Sequence, residues 1–311
     1  MLLNWNAVQN GRVDNNLLLD SLIEKATQGS TKTVAVAAAE DSEVIKAVIE
    51  ASERNLARFI LFGDQEKIRT LLGSKYKDVK IVHADSTTAS AELAVKAVFK
   101  KEAEVLMKGN LPTNIILKAV LNKDYGLRTG NILSHTAVFE IPDINRLMIV
   151  TDAAMNMTPN LDQKVQIVQN AVSIAKSIGI ALPKVAPLAA VEVINPAMEA
   201  TIDAAALTIM NQRGQISGCI IDGPLALDNA VSVLAAEHKG IHSEVAGNAD
   251  ILLVPTIEAG NVLYKSLIYF AKAKVGAVIS GAKAPIVLTS RADSSESKLY
   301  SLSLALCCAV D

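Results

Sequence analysis

Four polar stretches stand where a short apolar run gives way to a helical pattern, and each offers groups able to hold an anion or a carbonyl. In PIVLTSRADSSESK (285–298), Ser290 and Arg291 follow the apolar run directly. A guanidinium presents a planar fork that matches phosphate. Asp293 and Glu296 have the spacing of a capping box, so Glu296 either reaches back to a helix start or is free for proton transfer. In KGNLPT (108–113), Gly109 would let a ligand approach backbone. Thr113 would cap a helix carrying Lys118, and a helix start suits an anion. In EAGNVLYK (258–265), Asn261 and Lys265 are four apart, hence on one helical face, where they would grip phosphate or an acyl carbonyl, or simply meet solvent. DGPLALD (222–228) reads as a tight turn with Asp228 capping the next helix.

Other chemistries find little support. His83, His135, His238 and His242 lack metal-ligand spacing, and Gly240 interrupts the last two, so no metal site is expected. There is no G-x-x-x-x-G-K-[ST], no G-x-G-x-x-G and no G-x-S-x-G. Cys219, Cys307 and Cys308 form no C-x-x-C and read as buried thiols of a reducing compartment. Lys and Arg number 30 against 32 Asp and Glu, a balance that gives no case for nucleic acid or an anionic membrane. No signal peptide or membrane-spanning run is visible, and the expected location is cytoplasmic.

The elements that position these loops follow from periodicity. Half of the 311 residues are apolar but only 4% are aromatic, so the core must be built from Ala, Val, Ile and Leu. Strand-like runs at 34–39, 58–64, 79–84 and 104–110 alternate with helical patterns, which predicts a parallel sheet wrapped by helices. SHTAVFEIP and RLMIVTDAAMN are spaced like an antiparallel pair. Further strands are expected at 249–255, 277–281 and 285–290, before a last helix, ESKLYSLSLALCCA. The expected division is a first α/β domain of residues 1–134 plus 277–311 and a second of residues 135–276.

In this order, KGNLPT, GCIIDGPLALDNAV, EVAGNADILLVPTIEAGNVLYK and PIVLTSRADSSES resemble the phosphate acyltransferase family, phosphate butyryltransferases more closely than phosphate acetyltransferases. The resemblance implies a two-domain α/β/α fold like that of isocitrate and isopropylmalate dehydrogenases, with the active site in an interdomain cleft, and a homodimer or higher homo-oligomer. It implies the reversible reaction of acyl-CoA with inorganic phosphate to give acyl phosphate and coenzyme A, with coenzyme A as substrate and no resident cofactor. The family's active-site Ser-Arg pair falls on Ser290 and Arg291. Acetyl-transferring members carry two acidic residues shortly after that pair, the second proposed as base; these positions are Glu296 and Ser297 here, which leaves Glu296 or His135 as the candidate base. Two further family arginines correspond to Lys118 and Tyr269, departures that favour a less polar site than that for acetate. Gly109, Thr113, Asn261 and Lys265 complete the expected coenzyme A and phosphate contacts. Two other readings stand beside this one: a decarboxylating dehydrogenase of the same fold, and a non-catalytic acyl-CoA-binding protein.

Overall fold

The computed structural model describes residues 18–76, 79–288 and 293–309. The chain opens with α1 (Leu19–Thr27), then β1 (Lys32–Ala37), α2 (Ser42–Glu53), β2 (Ala57–Gly63), α3 (Gln65–Leu72), β3 (Lys80–His83), α4 (Thr87–Phe99), β4 (Val105–Lys108) and α5 (Thr113–Val120). It continues through β5 (Ser134–Glu140), β6 (Leu147–Thr151), α6 (Leu161–Ser177), β7 (Lys184–Pro187), α7 (Glu199–Gln212), β8 (Ile220–Ile221), α8 (Leu227–Val231) and α9 (Val233–His238). The last elements are β9 (Ile251–Leu253), α10 (Ile257–Tyr269), β10 (Lys274–Ser280), β11 (Ile286–Val287) and α11 (Ser295–Cys308).

Helix starts follow local chemistry. Asp41 accepts from the N–H groups of Glu43 and Val44 to start α2, Ser86 caps α4, and Asn160 with Gln163 forms a full capping box on α6. Three expected caps are displaced. Pro112 occupies the cap position of α5 with no side-chain bond, and Thr113 is the first helical residue, because proline's fixed φ already suits a helix entry. Ala226 precedes α8, and Asp228 lies inside its first turn. Ser294, not Asp293, caps α11 by accepting from Ser297 N, which places Glu296 outside any capping box.

The strands of the described residues form one 11-stranded sheet in the order β3-β2-β1-β4-β11-β10-β5-β6-β9-β7-β8. It is mixed rather than parallel throughout. β10 runs antiparallel to both β11 and β5, and β5 antiparallel to β6, as the sequence spacing predicts for that last pair. β10 bonds to β5 over its whole length but meets β11 only at Ile279 and Ile286. Helix α11 packs along β10 where β11 has left it, with Ser301 Oγ accepting from Ala277 N at 2.9 Å.

Alternating side chains assign the faces. Val34, Val36, Val105 and Met107 point into the layer that holds α2, whereas Ala35, Ala37 and Leu106 point into the layer of α4 and α5. The chain therefore leaves β1 toward one face and leaves the adjacent β4 toward the other. That makes the β1–β4 border a topological switch point, the place where an open α/β sheet leaves a crevice beyond its strand ends. The β6–β9 border repeats the arrangement, with α6 on one face and α10 against the core cluster of the other.

Candidate active site

The expected site residues divide into separate groups. Ser290 and Arg291 lie outside the described residues. Their described flanks are informative. On one side Val287 pairs with Met107, one residue before Lys108, and Leu288 packs half-buried against the apolar cluster that includes Ile279. On the other side Asp293 lies close enough for its charge to act on both His135 and Tyr264.

At the end of β4, Gly109 N donates to Ala37 O at 2.7 Å and Asn110 N to Ala38 O at 2.8 Å. A Cβ on Gly109 would sit 2.6 Å from Ala37 O and closer still to Ala38 O, so glycine is required here by the chain's own β1 end. Lys108 is buried, its Nζ 3.1 Å from Gly109 O. Thr113 and Lys118 are exposed on α5, Lys118 in the last turn where a cation offsets the carbonyl end of the helix.

His135 sits on β5 with 8% of its surface exposed, and its Nδ1 is sealed from solvent without a hydrogen-bond partner among the described residues. Burial holds the imidazole below its ordinary value, against the opposing pull of the Asp152 and Asp293 carboxylates. Tyr264 stands edge-on to the His135 ring with centroids 5.8 Å apart, and edge-on to Phe139 at 5.3 Å. Burial and the charge of Asp293 push the Tyr264 phenol up.

The loop after β6 supports this wall. Asp152 accepts from the N–H groups of Ala154 and Met155 at 2.9 Å, and from the Asn156 amide at 2.6 Å. The first turn of α10 rests on the same loop. A Cβ on Gly260 would lie 2.7 Å from Asp152 O, and Asn261 Nδ2 donates to Ala153 O at 3.4 Å. Asn261 thus braces the loop, while Lys265, one turn on, is exposed.

Glu296 belongs to another group. Its Oε1 accepts from the Tyr300 hydroxyl at 3.1 Å and lies 3.9 Å from Lys274 Nζ, which also faces Glu140 at 3.7 Å. Lys274 pairs in register with Glu140, five residues along β5 from His135, or about 17 Å. Glu296 and His135 therefore stand at opposite ends of one strand.

Sequence reasoning did not single out Asp152, Asn156, Tyr264 or Glu40. TDAAMN carried a weak signal, Asp and Asn four apart after a strand, and Tyr264 lies inside a segment from which only its neighbours were drawn. Among the described residues no group of three or more His, Cys, Asp or Glu side chains could hold a metal ion. None of the described helices is long and apolar enough to cross a membrane.

Residues 70–306 match the family model described as phosphate acetyl/butaryl transferase. The chain is 63% identical over 290 residues to a probable phosphate butyryltransferase of Bacillus subtilis (strain 168), covering 93% of this chain and 97% of that one. It is 47% identical over 289 residues to the phosphate butyryltransferase of Clostridium beijerinckii, covering 92% and 96%. Among solved structures it is similar to a branched-chain phosphotransacylase from Enterococcus faecalis V583, with a TM-score of 0.79, 37% identity, and 89% and 99% of the two chains covered. These similarities correct the expected fold. The chain matches phosphotransacylase structures, and at a TM-score of 0.54 a 4-hydroxythreonine-4-phosphate dehydrogenase, and gives no support to an isocitrate or isopropylmalate dehydrogenase fold.

Proposed function

The chain belongs to the phosphate acetyl/butaryl transferase family and is a phosphate acyltransferase, and from that premise we propose that it transfers butyryl or a branched-chain acyl group of similar size, with His135 as the base. The 63% identical relative named for butyryl transfer and the solved branched-chain phosphotransacylase support this choice of acyl group. A metal-dependent decarboxylating dehydrogenase is not favoured.

The observation that carries the proposal is the buried His135 imidazole with a nitrogen that has no partner among the described residues, within reach of the charge of Asp293, which flanks the Ser290–Arg291 pair in sequence. In the acyl phosphate direction the coenzyme A thiol gives its proton to His135. The sulfur then bonds to the acyl carbonyl carbon, the C–O bond to phosphate breaks, and inorganic phosphate leaves. In reverse, a phosphate oxygen attacks the thioester carbonyl, the C–S bond breaks, and the imidazolium returns the proton to sulfur. Thiols ordinarily titrate near pH 8.5, so a neutral imidazole is a suitable acceptor near neutrality. Ser290 polarises the carbonyl and Arg291 binds phosphate in this scheme, with Lys118 and Lys265 adding positive charge at its rim. Both substrates bind together, so no acyl-enzyme forms and no resident metal or cofactor takes part.

The proposal extends to a cytoplasmic homodimer or higher homo-oligomer. The exposed Val262, Tyr269 and Phe270 on and just after α10, the last 85% exposed, support association. Thiol release from butyryl-CoA with and without phosphate tests the function, and light scattering after gel filtration tests the assembly. A protein that binds butyryl-CoA yet releases no thiol in either condition would instead be a non-catalytic acyl-CoA binder.

A further inference from the structure

His135 stands where two apolar layers meet. Ile279, its register partner on β10, points the same way and belongs to the cluster under α4 and α5. Phe139, on the same face of β5, belongs to the cluster under α10. Tyr264 covers the imidazole from the α10 side. Met155 reaches the other side. Thr136 pairs with Thr151, so Asp152 leaves β6 opposite His135, with Cα atoms about 5 Å apart. Asp152 accepts from Met155 N at 2.9 Å, and Asn156 Nδ2 donates to Leu133 O, two residues before His135, at 2.9 Å. Met155 is thus held between two contacts that bracket the imidazole along β5. Its side chain is half-buried and packs, like that of Leu133, against the cluster that contains Ile279. One flank of the thioether chain is packed and the other is open.

We propose that Met155 bounds the acyl pocket and sets the length of acyl chain the site accepts. The identity of the ligand rests on the acyltransferase reading with His135 as base; the place rests on the two anchors of the Met155 segment. In that reading the thiol sulfur lies within hydrogen-bonding reach of the imidazole as its proton leaves, and the acyl carbonyl carbon is the next atom bonded to it. The last carbon of a butyryl group is four bonds from the sulfur, or about 5 Å, since an extended chain advances about 3.5 Å for every three bonds. The chain therefore ends among the side chains that surround the imidazole. A thioether offers nothing to the charge of phosphate, and Asp152 is committed to the amides of its own loop. An apolar chain is the part of the reacting molecules that gains from Met155. Methionine is unbranched and polarizable, so it adapts to a straight or a branched acyl group.

The test compares wild type with Met155→Ala, which trims the side chain to its Cβ, and Met155→Phe, which puts a rigid ring in place of a flexible chain. Phosphate-dependent thiol release gives kcat/KM for acetyl-CoA, butyryl-CoA and hexanoyl-CoA, calorimetry gives Kd for the last two, and urea midpoints show that the variants fold. One methylene in a fitted apolar pocket changes kcat/KM by about 10- to 200-fold. Met155→Ala should raise the ratio of hexanoyl-CoA to butyryl-CoA by about tenfold or more, and Met155→Phe should raise the ratio of acetyl-CoA to butyryl-CoA by a similar factor. Ratios within about twofold of wild type in either folded variant would overturn the assignment. Equal losses with every substrate would then place Met155 against the pantetheine arm that all of them share, and no loss would leave it as packing for the Asp152 loop. A wild-type protein that binds butyryl-CoA but shows no phosphate-dependent turnover would contradict the acyltransferase reading. The ratio of Kd for hexanoyl-CoA to Kd for butyryl-CoA would still decide the role of Met155, falling about tenfold in Met155→Ala if the side chain bounds the pocket and staying unchanged if it does not.

Discussion

The ring of Tyr264 meets the imidazole of His135 edge-on, 5.8 Å between centroids and 67° between planes, so that a residue of α10 closes over the one buried histidine among the described residues. The contact keeps water from the imidazole, and burial is the leading cause of its depressed basicity. Replacing Tyr264 by Ala opens the ring to solvent. The acid limb of kcat/KM should then move up toward the ordinary imidazole value of about 6.5, whereas Tyr264→Phe should leave it in place. An identical limb in both variants would show that Tyr264 does not control the titration of His135.

A buried imidazole that resists protonation also links stability to pH. As pH falls below about 6.5, the unfolded histidine takes a proton that the folded one declines, so the unfolded state binds more protons and stability drops. The contribution is fully present above that pH and is lost as pH descends through the depressed folded value. Urea unfolding of wild type and His135→Asn across pH 4.5–7.5 reads this directly, and the variant should show the shallower slope. Turnover of His135→Asn should fall by about 10²-fold or more if the imidazole takes the thiol proton.

Gly260 offers a test in which the sign of the effect decides. Gly to Ala inside an open helix stabilises by about 1 kcal/mol. Here the added Cβ would lie 2.7 Å from Asp152 O and 2.9 Å from Ala153 Cα. Gly260→Ala is therefore expected to lose about 1–3 kcal/mol by overpacking. A raised urea midpoint would show that the Asp152 loop yields freely and does not anchor the wall of the site.

Much of the architecture could be read from the chain because it is local. Alternation of β-branched runs with capped helices marks β1 to β4, and the spacing of residues 134–140 and 147–151 marks the antiparallel pair. Gly240 ends α9 after His238, as its place in the sequence predicts, and adopts a φ of 67°. Caps were less legible. Thr113, Asp228 and Asp293 each have the right side chain, but Pro112, Ala226 and Ser294 hold the positions, since a shift of one or two residues costs the motif nothing in sequence terms. What joins distant segments could not be read at all. The seat of β10 between β11 and β5, the carboxylate of Glu40 over Gly63 and the contact of Tyr264 with His135 each depend on pairings made across the fold. The same distance relation separates Glu296, toward which the sequence leans slightly as the base, from His135, its main competitor there.

Glu296 accepts from Tyr300 and faces Lys274, in a cluster 59% open to solvent at its own side chain. Glu296→Gln keeps an acceptor for the tyrosine hydroxyl, so turnover should stay within about threefold of wild type, with the acid limb retained. A loss of about 10²-fold together with disappearance of that limb would move the base from His135 to Glu296.

The central claim is acyl transfer to phosphate with a preference for a four-carbon or branched chain. It is tested most directly by initial rates of phosphate-dependent thiol release across a panel from acetyl-CoA to hexanoyl-CoA, including isobutyryl-CoA and isovaleryl-CoA, without added metal or nicotinamide. One methylene placed in a fitted apolar pocket is worth about 1–3 kcal/mol, or 10- to 200-fold in kcat/KM. The account predicts a maximum at butyryl-CoA or a branched counterpart, with acetyl-CoA at least about tenfold lower. A maximum at acetyl-CoA would contradict the acyl assignment, and thiol release that does not depend on phosphate with any member of the panel would contradict the reaction itself.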